Sequence, residues 1–351
     1  MNGRSVVTGF MALALTVAGI QPASAQESST PTVSAQSVES KSWIKLAGTK
    51  GQLNDGAGSL RLASYSLVSD AGQQYEGYLR EGDRFVKTPY RVALVAPGQR
   101  WVAGIPGYEL WKAKKKIDLI DQQSRRKYTI PLPALVRSAE WSPDGRTLLL
   151  TAHEKRRGEL VVIGFITVNV ADRVPRLVKV GPRNVASRFY FAGRSDRVLA
   201  RYNDADDSSP KSRLAVYDLR GKPRRYYTGV GAPGGASATQ IFSPSGRLFA
   251  TAVRDAYNVK TEEIRIVDAS TGKILHRIRG KNIYDFMGWY DDEHIIVKRA
   301  RVGVQVSKNY QLFQRVDLSG KADLDLIKEK LVFNVAEYKP HLDWVDFVRP
   351  N

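Results

Sequence analysis

Basic side chains clearly outnumber acidic ones in this sequence. Its 351 residues include 54 Lys and Arg against 35 Asp and Glu, a formal net charge of +19. A face carrying many cations attracts anionic polymers and acidic protein surfaces. The candidate binding residues lie in segments between predicted strands, and they are Lys112, Lys114, Lys115, Lys116, Lys155, Arg156, Arg157, Arg183, Arg254, Lys281 and Arg301.

The sequence offers few residues or motifs for disulfide formation, metal binding or nucleophilic catalysis. The absence of cysteine excludes disulfides, thiolate metal sites and a cysteine nucleophile, and the sequence has four histidines. We find no nucleophile elbow, no phosphate-binding Gly-rich loop before a helix and no zinc-protease motif. We therefore expect no cofactor and name no catalytic residue. Because catalytic sites in propellers assemble from separate strands and leave no linear motif, an enzyme remains the alternative.

Two acidic or histidine-containing sets are possible metal sites. The loop Asn203-Asp204-Ala205-Asp206-Asp207 offers hard oxygen ligands of the kind that calcium prefers, but it lacks the Gly and distant Glu of an EF-hand. His294 and His341 lie in predicted turns that are equivalent in successive repeats, where they would need a third ligand. A polar loop and two ordinary turns are the simpler interpretations, so no metal is predicted.

The elements that must position these residues are strands, because the chain repeats. Trp141-Ser142-Pro143-Asp144-Gly145-Arg146 recurs as Phe242-Ser243-Pro244-Ser245-Gly246-Arg247, each followed by a run of strand-forming residues. Weaker copies begin at Val95, Phe191, Trp289 and Tyr338, with steps of roughly fifty residues. The repeated aromatic residues are interpreted as packing between repeats.

A second turn type alternates with the first. It places Asp and Gly between strand-like runs, as in Val267-Asp268-Ala269-Ser270-Thr271-Gly272. Each repeat therefore contains four strands, a to d; in one repeat they lie near 136–141, 147–152, 160–170 and 175–180. A four-stranded sheet cannot bury both faces alone, so radial stacking into a β-propeller is the stable arrangement.

We predict an all-β fold with six four-stranded blades, or seven if Trp43–Leu53 supplies further strands. The first recognisable turn is read as a c–d hairpin near Gly72 and the last as an a–b turn near Pro340. The closing blade should therefore combine strands c and d from 59–87 with strands a and b from 331–347. A composite blade of N- and C-terminal strands closes the ring and leaves few free sheet edges.

On the two turns at 141–146 and 242–247, the chain resembles the TolB-like and WD40-like propellers of bacterial secreted proteins. The likeness extends as a periodic pattern over about Ser59 to Phe347. The terminal Trp-Asp and Gly-His pairs of strict WD40 repeats are absent. The resemblance implies the fold and a tendency to bind proteins or ligands on one face, and it implies no catalytic residue.

The N-terminus predicts export. Arg4 precedes the uncharged apolar run Val6 to Ile20, and Ala23-Ser24-Ala25 is typical of a signal-peptidase site. We assign 1–25 to a signal peptide, 26–42 to a flexible Ser/Thr/Gln-rich leader and 43–351 to one propeller domain. The apolar run is too short to span a bilayer, so no membrane anchor is predicted.

These observations lead to one expectation for function and one alternative. We expect a secreted, non-enzymatic, monomeric binding protein whose b–c and d–a loops form a basic face. Its partner would be an extracellular protein, such as a secreted protease, or an anionic cell-wall polymer. Nucleic acid is not expected, because export removes that partner and no recognition helix is visible. The alternative is an extracellular hydrolase or lyase with a site in the propeller funnel.

Overall fold

Strands make up the regular structure of the computed structural model. It describes residues 42–56, 58–69, 74–105, 114–180, 188–202, 213–234, 240–254, 261–280, 283–301, 309–331, 333–334, 337–338 and 340–349. Residues 39–351 form one unit. Within the described ranges, no helix is long and apolar enough to cross a membrane. The proposed signal peptide and all of the leader before Ser42 lie outside these ranges.

The strands are short and are distributed along the whole described chain. The first nine are β1 (Ser42–Lys45), β2 (Gly51–Asp55), β3 (Arg61–Ser69), β4 (Gln74–Glu81), β5 (Arg84–Lys87), β6 (Val92–Val95), β7 (Trp101–Ile105), β8 (Lys114–Asp121) and β9 (Lys127–Trp141). The next nine are β10 (Thr147–Arg156), β11 (Glu159–Asn169), β12 (Pro175–Lys179), β13 (Tyr190–Phe191), β14 (Arg197–Tyr202), β15 (Arg213–Asp218), β16 (Pro223–Thr228), β17 (Ala232–Pro233) and β18 (Leu248–Arg254). The last nine are β19 (Thr261–Asp268), β20 (Ile274–Ile278), β21 (Ile283–Trp289), β22 (His294–Arg301), β23 (Tyr310–Asp317), β24 (Ala322–Lys330), β25 (Phe333–Asn334), β26 (Glu337–Tyr338) and β27 (His341–Val348).

These strands form five successive antiparallel sheets and one small hairpin. Sheet I has the order β27-β3-β4-β5, sheet II β6-β7-β8-β9-β10-β11-β12, sheet III β13-β14-β15-β16, sheet IV β17-β18-β19-β20, and sheet V β21-β22-β23-β24-β2-β1. The hairpin pairs β25 with β26. In sheet II, the first part of β9 pairs with β8 and its last part pairs with β10, so two four-stranded groups share this one strand.

The sheets have a β-propeller arrangement, as the repeat predicts. Apolar clusters join sheet I to sheet II, sheet II to sheet III, sheets III and IV to sheet V, and sheet V back to sheet I. Phe313 and Ile327 of sheet V, for example, share a cluster with Leu67 and Leu342 of sheet I. Each sheet thus buries its faces against its neighbours.

The closing sheet differs from the predicted composition. It takes three strands from the N-terminal part and only β27 from the C-terminal part, with Val345 opposite Tyr65. The segment around Pro340 is therefore the link from β24 to β27 and not an a–b turn, and the hairpin near Gly72 joins strands b and c. The prediction failed because strands a and b of this sheet, β27 and β3, lie far apart in the sequence and no turn connects them.

The N-terminal strands form no further blade. The β1–β2 hairpin pairs with the outer edge of β24, through Leu53 opposite Ile327. It lengthens sheet V and covers an edge that would otherwise expose unpaired backbone groups. The seven-blade alternative, which drew on Trp43–Leu53, therefore loses its source of strands.

The repeated turns connect neighbouring groups of strands. The Trp141 Nε1 atom donates a hydrogen bond to the Leu94 carbonyl oxygen (2.9 Å), and Trp289 Nε1 donates to the Ile241 carbonyl oxygen (2.9 Å). Both acceptors belong to the segment of the preceding group that lines the axis. This supports the interpretation of the repeated aromatic residues as packing residues.

Candidate functional site

The predicted basic residues lie mostly on one edge of the sheets. Lys115 and Lys116 lie near the start of β8, and Lys155, Arg156 and Arg157 form the β10–β11 turn; all five are exposed. In each group this edge holds the b–c turn and the start of the innermost strand. We call it the b–c edge.

Two of the predicted basic residues have acidic partners. Arg156 forms an ion pair with Glu154, and the half-buried Arg254 donates to Asp285 (2.9 Å). Lys114 and Arg301 lie in β8 and β22, but their side chains lie outside the described ones. Lys112, Arg183, Lys281 and the Asp204–Asp207 loop lie outside the described residues altogether, and their predicted roles stay predictions.

A pocket opens at the b–c edge, and we call it the mouth pocket. It has a volume of about 140 Å³. It lies between sheets I, II and III, where their innermost strands begin. Its lining residues are Ser66, Arg91, Val92, Leu94, Ile105, Arg137, Ser138, Ala139, Arg188, Asp343 and Trp344.

Three arginines dominate the charge of the mouth pocket. Arg91 lies directly before β6, Arg137 lies in the second part of β9, and Arg188 lies two residues before β13. Asp343 of β27 is the one carboxylate among the lining residues. The lining therefore carries a net positive charge and is suited to an anionic group.

Aromatic and backbone contacts hold two of these arginines. The Arg91 guanidinium lies over the Tyr75 ring, 3.2 Å from its centroid, and its Nη2 atom is 3.9 Å from Asp343 Oδ2. The Arg188 guanidinium lies 4.8 Å from the Tyr190 ring centroid, and its Nη2 atom donates to the Ala139 carbonyl oxygen (3.0 Å). Such contacts place a guanidinium in advance and reduce the entropy lost on binding.

The three arginines stand at nearly the same position relative to the repeated turn in three successive repeats. A basic residue stands four positions before Val95 and Trp141 and three before Phe191, which are the turn residues of three successive repeats. Four positions before Trp289, the residue is Asp285. Sequence reasoning missed Arg91, Arg137 and Arg188 because it looked in the loops, whereas these side chains lie at the starts of the innermost strands.

The two histidines considered as metal ligands lie in separate places in the described part of the chain. His294 Nδ1 lies 2.9 Å from Asp291 Oδ1, an ordinary turn contact. His341 begins β27, at the opposite end of its strand from the a–b turns, so its predicted turn position is wrong. Among the described residues, no group of three or more His, Asp or Glu side chains is arranged to hold a metal ion.

Comparisons with known proteins identify no family for this chain. The sequence matches no protein-family model, and a search of curated proteins gives no match. The TolB-like resemblance therefore stays a prediction.

Similar solved structures include hydrazine synthase from Kuenenia stuttgartiensis, with 11% identity and a TM-score of 0.46 over 66% of this chain and 64% of that one. Dihydro-heme d1 dehydrogenase NirN, in complex with DHE, is 14% identical, with a TM-score of 0.41 over 82% and 73% of the two chains. A functionally unknown protein from Desulfotomaculum acetoxidans is 11% identical, with a TM-score of 0.47 over 77% and 81%. This chain thus spans less than two thirds of the hydrazine synthase chain, and similarities this distant carry no functional inference.

Proposed function

We propose that this chain is an exported, non-enzymatic β-propeller that binds an acidic extracellular protein through its b–c edge. One observation carries the proposal: arginines from three successive repeats line the mouth pocket, and exposed lysines of sheet II lie on the same edge. Charges of one sign on one face raise the rate of encounter with an acidic partner. An anionic cell-wall polymer is the alternative partner.

The ring that presents this face is proposed to contain six blades. Sheets I, III, IV and V each provide one set of four strands, and sheet II provides two sets that share β9. Five copies of the first turn type precede the second strand of five of these sets, and in the sixth set β27 pairs directly with β3. The TolB-like relation belongs to the same proposal, because it rests on two turns of the sequence.

The hydrolase or lyase alternative needs Asp, Glu, His or Asn side chains that converge on the funnel. Among the described residues that line the mouth pocket, Asp343 is the only side chain of those four types. The arginine-rich lining favours binding of an anion, and we therefore argue the binding function.

The test is retention of partners from culture supernatant and from a purified cell-wall fraction. The test variant carries Lys115→Ala, Lys116→Ala, Lys155→Ala and Arg157→Ala, whose side chains are exposed. The control variant removes four cations from the opposite edge: Arg220→Ala, Lys222→Ala, Lys273→Ala and Lys321→Ala.

We expect the wild-type and control proteins to retain the same partner, and the test variant to lose it as added salt screens the remaining charges. Mass spectrometry of the retained material distinguishes an acidic protein from wall polymer. Equal retention by the two variants would show that the b–c edge does not bind by charge.

A further inference from the structure

We infer that the mouth pocket is the anchor for a carboxylate carried on an apolar group, whether that group ends a protein chain or is a free acid. The inference rests on the proposed function and deepens it, because it assigns one chemical group to one pocket. Three features of the lining carry it: the arginines, a buried serine hydroxyl and an apolar wall.

The arginines provide the charge and the geometry. A guanidinium offers paired N–H donors that match the two oxygens of a carboxylate. Arg91 and Arg188 are held by Tyr75 and Tyr190, and Arg137 comes from the strand between them. With three guanidinium groups against the one carboxylate of Asp343, the lining keeps an excess of positive charge for a bound anion.

The Ser66 hydroxyl provides an independent signal. Ser66 is 1% exposed and lines the pocket, yet its Oγ atom has no hydrogen-bond partner among the described residues. A buried hydroxyl without a partner destabilises the folded state, because it has lost its hydrogen bonds to water. The neighbouring Ser138 hydroxyl is already used, since it donates to Thr151 Oγ1 (2.8 Å). The Ser66 hydroxyl would therefore gain a hydrogen bond if a bound anionic oxygen came within its reach.

The apolar part of the pocket lining determines which kind of molecule can carry the bound carboxylate. Val92, Leu94, Ile105 and Trp344 form an apolar wall beside the charged groups. Inorganic sulfate or phosphate would leave this wall without a contact, whereas an apolar group bearing a carboxylate would cover it. The volume of about 140 Å³ is below the range of roughly 300–1,000 Å³ that is typical of complete small-molecule sites. The pocket is sized for one residue-like group.

The experiment is a calorimetric titration of the full chain with small probes. The probes are N-acetyl-leucine, its uncharged amide N-acetyl-leucinamide, sodium sulfate, and an octapeptide ending in leucine with either a free or an amidated C-terminus. We expect both free carboxylates to bind about tenfold or more tightly than their amides and than sulfate. A tighter peptide identifies a chain terminus as the source, and a tighter N-acetyl-leucine identifies a free acid.

Two variants separate binding from folding. Ser66→Ala removes an unsatisfied hydroxyl, so we expect unchanged or higher stability together with about tenfold weaker carboxylate binding. Arg137→Gln should weaken carboxylate binding by a similar factor, while Lys222→Ala on the opposite edge should leave it unchanged. Stable Ser66→Ala protein with wild-type affinity would overturn the assignment of the hydroxyl.

Sulfate binding as tightly as N-acetyl-leucine would overturn the inference, and so would the absence of binding by either free carboxylate. These failures are distinguishable from failure of the proposed function. If Ser66→Ala and Arg137→Gln retain the macromolecular partner as the wild type does, the b–c edge binds without this anchor. If the four-residue b–c variant retains the partner but carboxylates bind in the pocket, the broader charge argument fails and the anchor stands.

Discussion

At the scale of single residues, buried carboxyl groups connect one set of strands to the next. Glu140 Oε2 accepts a hydrogen bond from the Phe191 backbone N–H (3.0 Å), and Asp346 Oδ2 accepts one from the Val95 N–H (3.0 Å). Both side chains are buried, and desolvation raises the pKa of Glu140 to about 8 and that of Asp346 to about 7. The two groups thus hold neighbouring innermost strands together while they still bind a proton near neutral pH.

This proton binding predicts a loss of stability as the pH rises. An acid whose pKa is higher in the folded state stabilises that state fully below its unfolded pKa, near 4, and loses the contribution as the pH rises through its folded pKa. We expect the free energy of unfolding to fall between about pH 6.5 and pH 8. Each group accounts for at most about 1.4 kcal/mol per pH unit.

Urea unfolding at several pH values measures this slope. Glu140→Gln and Asp346→Asn keep an oxygen acceptor and remove the titration, so the double variant should show a flatter profile from pH 6.5 to pH 8. Below pH 6.5 two histidines act in the opposite direction, because burial lowers the pKa of His153 to about 4 and also lowers the pKa of His341. A double variant as pH-sensitive as the wild type above pH 6.5 would rule out these carboxyl groups as the cause.

Another buried carboxylate has the opposite behaviour. Burial alone would raise the pKa of Glu263, but hydrogen bonds from Arg265, Arg279 and Arg277 outweigh it and lower the pKa to about 2. Its stabilising contribution is present above its unfolded pKa and is lost only as the pH falls below about 4. We expect Glu263→Gln to destabilise the protein by about 1–2 kcal/mol at pH 7, because the three partners are partly exposed and regain water.

The measurement for Glu263→Gln is the midpoint of urea unfolding at pH 7 and at pH 3. Arg220→Ala, on an exposed turn, is a control that should stay within about 0.5 kcal/mol of the wild type. The difference between Glu263→Gln and the wild type should narrow at pH 3, and a difference that widens there would contradict the assignment.

At the scale of elements, the a–b turns lock onto their neighbours. Gly145 has φ 67°, in the left-handed region, and a Cβ atom there would lie 2.4 Å from the Pro97 carbonyl oxygen of the adjacent turn. Gly158 in the β10–β11 turn also has positive φ (88°), but no atom lies within 4 Å of the position of its Cβ. The two glycines thus separate the cost of backbone strain from the cost of a clash between turns.

We expect Gly158→Ala to cost about 1 kcal/mol, from the positive φ alone. Gly145→Ala should cost at least about 2 kcal/mol, because it adds the clash with the neighbouring turn. Thermal unfolding followed by circular dichroism measures both. Equal losses would show that the Gly145 turn does not depend on its contact with Pro97.

The sequence predicted the strands and turns better than it predicted the functional site. Tight turns have a strict local chemistry, so the Asp and Gly positions of the c–d turns and the repeated a–b turn located most strands. In one repeat, the predicted strands at 147–152 and 160–170 correspond to β10 and β11. The sharing of β9 between two groups of strands and the addition of β1 and β2 to β24 were missed, because pairing across the chain leaves no local pattern.

Local sequence patterns predicted the edge on which the basic residues lie, but not the contacts that these residues make. Charge composition predicted a basic edge, and the structure places Lys115, Lys116 and the Lys155–Arg157 turn on one edge. It could not predict that Arg156 and Arg254 have acidic partners, nor that the innermost strands bring Arg91, Arg137 and Arg188 to one pocket. Those contacts depend on how separate repeats face one another.

At the scale of the whole molecule, one strand closes the ring. β27 pairs with β3 along its length, and Leu342 and Val345 share an apolar cluster with Phe313 and Ile327 of sheet V. Without β27, the hydrogen-bonding edge of β3 and the apolar faces that sheets I and V turn towards each other would be exposed to water. Because every sheet depends on two neighbours, the loss should spread beyond sheet I, and the protein should lose its single cooperative transition.

Deletion of residues 341–351 tests this dependence, with deletion of residues 350–351 as the control. We expect the shorter deletion to unfold like the wild type, since it leaves all of β27 in place. The longer deletion should give a broad transition at a lower temperature, and a synthetic peptide of residues 341–349 added in excess should restore part of the sharp transition by mass action. If the longer deletion unfolds with the wild-type midpoint, β27 does not hold the ring closed, and the sheets are stable without a complete circle.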